Sequence, residues 1–413
     1  MKILHVLPQQ MQRRASVTNV AKRYTYFWEV AASIGSHEIE SYDQSVPGVS
    51  FNYLAKRLLN LGHDLLVLLV RPSNAREAVA LAKFAKYLRP DLKVLAYGDA
   101  VRFAPQVFTA ETCVDALVTG NDFERSIESY ADFMTGTSVK PIGILDVQSQ
   151  GSYCDEFTNK VSWSFAKMQD IPMAYYHQLL GKKEMTLTVS RGCPYACSYC
   201  DASVTFGRHV RSKEPKEIVD FCLRHIDAFD TVRFFAPNFT LEPSWVSELC
   251  SRIKTDLPSL RWCCTSRLEL LRDDSMLAEM ASAGCFKLAV GIETAGGEAV
   301  IENKRHTLGD VADLARRVAN HRPMTLYGLI MLGVPGQTRE HIYQLFQVLT
   351  DQGAKIRPTA YTPLATAGHL ISLDDLAAFD KITFGASAVP GLSTSEFARL
   401  MLFPNEFREI LQH

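Results

Sequence analysis

Short apolar runs alternate with helix-periodic stretches through residues 1–150, a pattern that predicts an open, doubly wound parallel sheet with helices on its faces. Residues 3–7 read as the first strand. Between 51 and 62 the apolar positions are 51, 54, 55, 58, 59 and 61, one helical stripe, and Gly62 ends it before a strand at 64–70. A second helix at 75–87 turns Ala78, Ala80, Leu81 and Phe84 inward, Pro90 stops it, and a strand follows at 92–97. Another strand at 114–118 leads into Thr119-Gly120, and ligands of such sheets bind at the C-terminal ends of the strands. From 151 to 183 the chain is polar and without sustained periodicity, which reads as a linker over the mouth of the following domain. Its Tyr175, Tyr176 and His177 read first as packing of that strap and second as substrate contacts. The division expected is therefore 1–150, a linker at 151–183, a second domain at 184–370, and a small helical C-terminal cap at 371–413 with helices at 373–379 and 393–411.

The second domain opens on chemistry. Arg191-Gly192-Cys193-Pro194-Tyr195-Ala196-Cys197-Ser198-Tyr199-Cys200 sets three thiols at Cys-x3-Cys-x2-Cys spacing. Three thiolates leave one iron of a [4Fe-4S] cluster unligated and open to a substrate, whereas four close the site and leave electron transfer alone. A structural zinc needs a fourth ligand at matching spacing, and none lies near. The other cysteines, Cys113, Cys154, Cys222, Cys250, Cys263, Cys264 and Cys285, are scattered and read as small buried hydrophobes.

These residues resemble the radical S-adenosylmethionine (SAM) superfamily, and landmarks in that family's order continue to about Leu370. Gly207-Arg208-His209-Val210-Arg211-Ser212-Lys213-Glu214-Pro215 precedes a helix, 233–240 is similar to the second barrel strand and its turn, and 262–267 to the third strand. Residues 283–294 resemble the turn into the fourth strand, and 327–338 the fifth strand with its Gly-rich exit. The resemblance implies a partial (β/α)6 barrel with its site at the C-terminal strand ends. It implies Cys193, Cys197 and Cys200 as ligands of a [4Fe-4S] cluster, with SAM chelated by the open iron. Tyr199 matches the aromatic position against the SAM adenine, Ser266 and Arg267 end a strand where ribose and carboxylate are bound, and Glu293 is placed to hold a SAM hydroxyl or amine. An ion pair between Arg267 and Glu293 is the structural alternative. Asn238 stands where the family often has Asp or Glu, and Gly333 in Gly333-Val334-Pro335-Gly336 allows backbone approach to the adenosine, as a plain strand-exit turn also would. Tyr361 and Tyr327 are candidates to donate a proton or hydrogen bond to a substrate radical.

Residues 1–132 are similar to the B12-binding, Rossmann-type domain that precedes the barrel in cobalamin-type radical SAM enzymes. Pro47-Gly48-Val49-Ser50 and Gly62-His63-Asp64 match that group, but the Asp-x-His-x-x-Gly signature is absent, and the paired glycines after the strand at 92–97 appear as Gly98-Asp99-Ala100. The corresponding turn after 114–118 reads Gly120-Asn121-Asp122-Phe123. A side chain where backbone must approach a bulky ligand argues against cobalamin. Two outcomes for the substrate radical stay open. Without cobalamin the expectation is radical dehydration or redox change of a small hydroxylated natural product of aminoglycoside or sugar type; with it, C-methyl transfer.

Composition narrows the partners. With 413 residues, 47% of them hydrophobic, and 44 Lys+Arg against 45 Asp+Glu, the chain can bury a large core and lacks the basic footprint of a nucleic-acid binder. Gln12-Arg13-Arg14 reads as a solvated loop. No apolar run of about 20 residues suggests a membrane span, and ten cysteines with an oxygen-sensitive cluster fit a reducing, cytoplasmic setting. A flavodoxin- or ferredoxin-type electron donor is the partner the resemblance implies.

Overall fold

The computed structural model describes residues 1–9, 18–147, 151–153, 160–195, 197–295, 304, 306–361, 368–381 and 389–406. Gln12-Arg13-Arg14 and Cys154 lie outside them. The chain forms two units, one of Met1–Leu180, Cys200–Arg211 and Pro363–Lys381, the other of Gly181–Tyr199, Ser212–Thr362 and Ile382–His413.

Among the described residues the first unit has a seven-stranded sheet. Its strands are β1 (Lys2–Leu7), β2 (Glu38–Asp43), β3 (Leu65–Leu69), β4 (Lys93–Tyr97), β5 (Ala116–Val118), β6 (Ile144–Asp146) and β7 (Ser152–Tyr153), in the order β2-β1-β3-β4-β5-β6-β7. The expected strands and helices form, with β1 to β5 parallel. β3, Leu65-Leu66-Val67-Leu68-Leu69, is buried along its whole length, as a strand covered by helices on both faces must be. Ser50 caps the helix Phe51–Asn60 by accepting from the Tyr53 N–H. The sheet departs from the all-parallel expectation at one edge, where β6 and β7 pair antiparallel. Strands of three and two residues are too short to show a period. β2 was equally hidden, because Glu38, Glu40, Ser41 and Asp43 make an edge strand too polar to read as one.

One face of this sheet packs Leu4, Leu54, Leu66, Leu81, Val94 and Leu117 together with Leu376. On the other, His5 hydrogen-bonds the Tyr97 hydroxyl at 2.7 Å and Ser41 at 3.1 Å and stacks on Phe27 at 4.1 Å. Complete burial pushes the His5 imidazole down to about 3, so it sits neutral in the core.

The segment expected to be a structureless strap carries a helix, Met173–Leu180. The Tyr176 hydroxyl donates to Asp43 at 2.7 Å and accepts from Trp28 Nε1 at 3.1 Å, which is packing within the first unit. Eight residues with apolar side chains on several sides give no clean stripe, so the period was invisible. The C-terminal region divides: helix Leu373–Lys381 belongs to the first unit, where Leu376 is fully buried and Gln106 donates to the Leu370 carbonyl at 2.7 Å. Helix Thr394–Leu402 belongs to the second unit, where Glu396 accepts from Arg339 at 2.8 Å.

Among the described residues the six-stranded sheet of the second unit comprises β8 (Glu184–Thr188), β9 (Thr231–Phe235), β10 (Trp262–Arg267), β11 (Cys285–Glu293), β12 (Thr325–Leu332) and β13 (Lys355–Ala360). All neighbours are parallel and pair in chain order, with helices between them, the arrangement of a partial (β/α)6 barrel. β12 alternates: Leu326, Gly328, Ile330 and Leu332 are buried, whereas Tyr327, Leu329 and Met331 are half-buried. A Cβ added to Gly328 would meet Leu349, on helix Arg339–Asp351, at 2.9 Å, so the buried face packs on helices and the other lines the barrel lumen.

Candidate active site

The thiols lie in the loop that follows β8. Cys193 and Cys197 are buried and free, and each receives a donor from a strand end. Asn238, in the turn after β9, donates from Nδ2 to Cys193 Sγ at 3.2 Å, and Arg267, the last residue of β10, donates from Nη1 to Cys197 Sγ at 3.5 Å. The Arg267 guanidinium also stacks over the Tyr195 ring at 3.9 Å, so the loop is clamped between plane and fork. Burial pushes the Cys193 thiol up, while the Tyr195 N–H, Arg267 and Asn238 act the other way. Cys200, directly after Tyr199, is half-buried. Among the described residues no three His, Cys, Asp or Glu groups already stand gathered as a metal site. The donor set nonetheless fits thiolate ligands, because each of the two sulfurs accepts from a side-chain N–H, a contact that favours the charged form against burial.

Arg267 does not pair with Glu293. Its Nη2 donates to Glu269 at 3.0 Å, and Glu269 in turn lies 3.6 Å from His306 Nε2. Although burial opposes it, the Glu269 carboxyl stays below its ordinary range through its own backbone N–H and Arg267. Glu293 pairs instead with Lys304, at 2.7 Å, and the same Nζ donates to the Gly291 carbonyl at 2.8 Å. The reason is local: register shifts between Gly291 and Glu293, and Glu293 takes a φ of +62°, a conformation non-glycine residues rarely adopt. The bulge turns the carboxylate back along its own chain. Strain of that kind persists where surrounding contacts over-determine it, typically at functional sites.

Ser266 has a partner of its own. Side chains alternate along a strand, so Ser266 and Arg267 point to opposite faces, and the Ser266 hydroxyl hydrogen-bonds that of Thr240 in the turn after β9. Tyr199 and Tyr361 do come together, ring centroids 6.5 Å apart, packed with Val334 and Met331 at the C-terminal edge. Tyr327 is separate from them, third from the start of β12, with Lys287 Nζ 4.0 Å over its ring. Gly333 adopts a φ of +92° with open space where a Cβ would stand, and its N–H donates to the buried Gln337 side chain at 2.8 Å. That combination leaves room for a ligand against the backbone.

Residues 187–349 match the family model described as Radical SAM superfamily. The chain carries a radical SAM domain. That domain implies a [4Fe-4S] cluster and SAM as cofactors. The likeness to known proteins extends beyond it. An uncharacterized methyltransferase of Pyrococcus horikoshii is 24% identical over 358 residues, 83% of this chain and 76% of that protein. The radical SAM methyltransferase TsrM of Kitasatospora setae, solved with cobalamin and a [4Fe-4S] cluster bound, superposes with a TM-score of 0.72 at 16% identity, over 88% of this chain and 77% of TsrM. The cobalamin-dependent radical SAM enzyme OxsB superposes at 0.65 with 14% identity, over 99% of this chain and 56% of OxsB. At these identities the structural likeness is one of fold, including a B12-binding-like sheet.

Two described turns of that sheet are engaged by side-chain contacts. A Cβ on Gly98 would meet the Val70 carbonyl oxygen at 2.4 Å, so this glycine serves the packing of β4 beside the exit of β3. Asp99 is buried and paired with Arg71 at 3.1 Å. Asn121 accepts from Arg102 at 2.7 Å, and a Cβ on Gly207 would meet its side chain at 2.7 Å. Both turns are thus taken up by side chains of the first unit.

Sequence reasoning missed Glu269, Lys304, His306 and Gln337 of the radical SAM domain. Lys304 lies eleven residues beyond Glu293, and no period links them. Glu269 offered a faint signal, two residues past an arginine already singled out. The remaining described cysteines behave as small hydrophobes: burial pushes the Cys222 and Cys250 thiols up to about 12.

Proposed function

We propose that the chain is a radical SAM methyltransferase acting on a small molecule. The observation that carries this reading is the likeness to a protein named a methyltransferase along 83% of the chain, through both units. When bound and reduced, the cluster supplies the electron that splits SAM into methionine and a 5'-deoxyadenosyl radical, which abstracts hydrogen from the substrate. In this reading Cys193, Cys197 and Cys200 hold the cluster, while Asn238 and Arg267 stabilise the charge on two of its thiolates. Lys304 holds Glu293 at the end of β11, where its free oxygen can accept from a SAM hydroxyl or amine. Tyr199 and Gly333 would face the adenosine, and Tyr361, packed on Tyr199, is placed to hydrogen-bond the substrate.

A second reading, cobalamin-free dehydration or redox change of a hydroxylated substrate, is favoured by the Asp99–Arg71 pair that occupies the turn after β4. One experiment separates the two. The chain is reconstituted anaerobically with iron, sulfide and hydroxocobalamin, desalted, counted for iron and cobalt, and incubated with SAM and a reductant. One cobalt per chain, with S-adenosylhomocysteine formed alongside 5'-deoxyadenosine, supports methyl transfer. Four irons, no cobalt and 5'-deoxyadenosine alone would replace it with the second reading.

A further inference from the structure

The inward-facing strand positions of the radical SAM barrel carry three cations. Arg233 and Thr186 are register partners on β9 and β8, Arg233 pairs with Cys263 on β10, and Cys263 pairs with Lys287 on β11. Arg357 stands two strands further, opposite Leu329 of β12. Against these cations the described lumen offers Glu184, which is already engaged: Arg233 donates to it at 2.9 Å and 3.1 Å, and Lys182 also binds it. Lys287 and Arg357 are half-buried, and among the described residues neither has an ion pair or hydrogen bond, Lys287 resting only over the Tyr327 ring. Burial and the Arg233 charge push both groups below their ordinary pKa, although Glu184 acts the other way on Arg357.

Beside them Thr186 is 1% exposed and its hydroxyl has no hydrogen-bond partner. A buried hydroxyl without a partner is costly, and so are two unpaired cations. One bound oxyanion would answer both costs.

We propose that Lys287, Arg357 and Arg233, with the Thr186 hydroxyl, form an oxyanion site in the barrel lumen that takes the phosphate or carboxylate end of the substrate. Assigning the anion to the substrate rests on the proposed function; the site itself does not. Four strand residues separate the Cys263–Lys287 level from the Arg267–Gly291 level, where the cluster loop is contacted. Arg357, opposite Leu329 and through it opposite Gly291, stands in register with that second level, so the cations span both.

The test reads binding without turnover, so failure of methyl transfer leaves it standing. The full chain with its cluster reconstituted is titrated with inorganic phosphate and, in a parallel arm, with succinate, by calorimetry and thermal melting. The expected result is saturable binding of one of them and a raised Tm; the arm that binds says which oxyanion the site prefers. Arg357→Gln and Lys287→Gln should each weaken binding about tenfold or more while melting at or above the wild-type Tm without anion, because each removes an unpaired charge. Lys216→Gln, on the exposed surface, should change neither. The proposal is overturned if neither anion binds wild type below about 10 mM, if both lumen variants bind as well as wild type, or if both lower the anion-free Tm or fail to fold, since the cations are then structural.

Discussion

The two units are built from the same parallel βα repeats, yet they treat the inside of their sheets in opposite ways. β3 of the first unit is buried at all five positions, and even its polar neighbours His5 and Tyr97 satisfy each other in the dark. β12 of the second is buried only at alternate positions and turns half-exposed side chains toward a lumen holding Arg233, Lys287 and Arg357. A sheet sealed on both faces can contribute stability and shape, whereas a sheet curved around an open space has one face free for chemistry. Both units hold buried polar groups without a hydrogen-bond partner among the described residues, His63 and Ser126 in the first and Thr186 in the second, but in the second they lie in a barrel that also carries the cations Lys287 and Arg357.

Predictions follow that contrast from the largest effect down. Alanine at Cys193, Cys197 or Cys200 should abolish cluster binding and 5'-deoxyadenosine formation, read as iron content and product yield, with the chain still folded. Loss of folding on such a change would erase the division between sealed and reactive units. Leu66→Ala, in the closed core, should cost about 3–5 kcal/mol by denaturant titration and leave SAM cleavage at 25 °C intact. Arg267→Lys keeps the charge but loses the fork shared by Cys197 and Glu269; SAM cleavage should fall about tenfold or more with iron content retained. A variant of normal rate would make Arg267 a packing residue.

Two titrations sharpen the comparison. His5 is held down to about 3 from 6.5, so between those values the unfolded chain carries a proton that the folded one does not, and stability should fall as pH drops through that window. Lys287 is held down to about 8 from 10.5, so stability should rise as pH climbs from 8 to 10.5, and Lys287→Gln should flatten that limb. Opposite slopes would mean that the two groups are not buried as described. The smallest effect belongs to Glu396, which caps its helix through Ser393 and binds Arg339 at the surface. Glu396→Ala should cost about 1 kcal/mol by denaturant titration and leave activity alone.

The strand and helix order of both units was readable because each element carries its own local period, as at 51–60 and 65–69. The thiols were readable from spacing alone. The misses share a cause. β2 and the β6–β7 edge are polar or short, and helix Met173–Leu180 has no single apolar face. Within the site, the hydroxyl contact of Ser266 with Thr240 joins two strand ends that no local period connects.

By itself the sequence determined the cluster loop, the radical SAM resemblance and the alternation of strands with helices, since each depends on residues within one or two turns of chain. Tertiary structure decided which charges meet. A bulge at the end of β11 gave Glu293 to Lys304 and left Arg267 to Glu269, and curvature of six strands collected Arg233, Lys287 and Arg357 in one lumen. Those pairings join residues that no local period connects, and an ion pair is set by the position of the backbone that carries it.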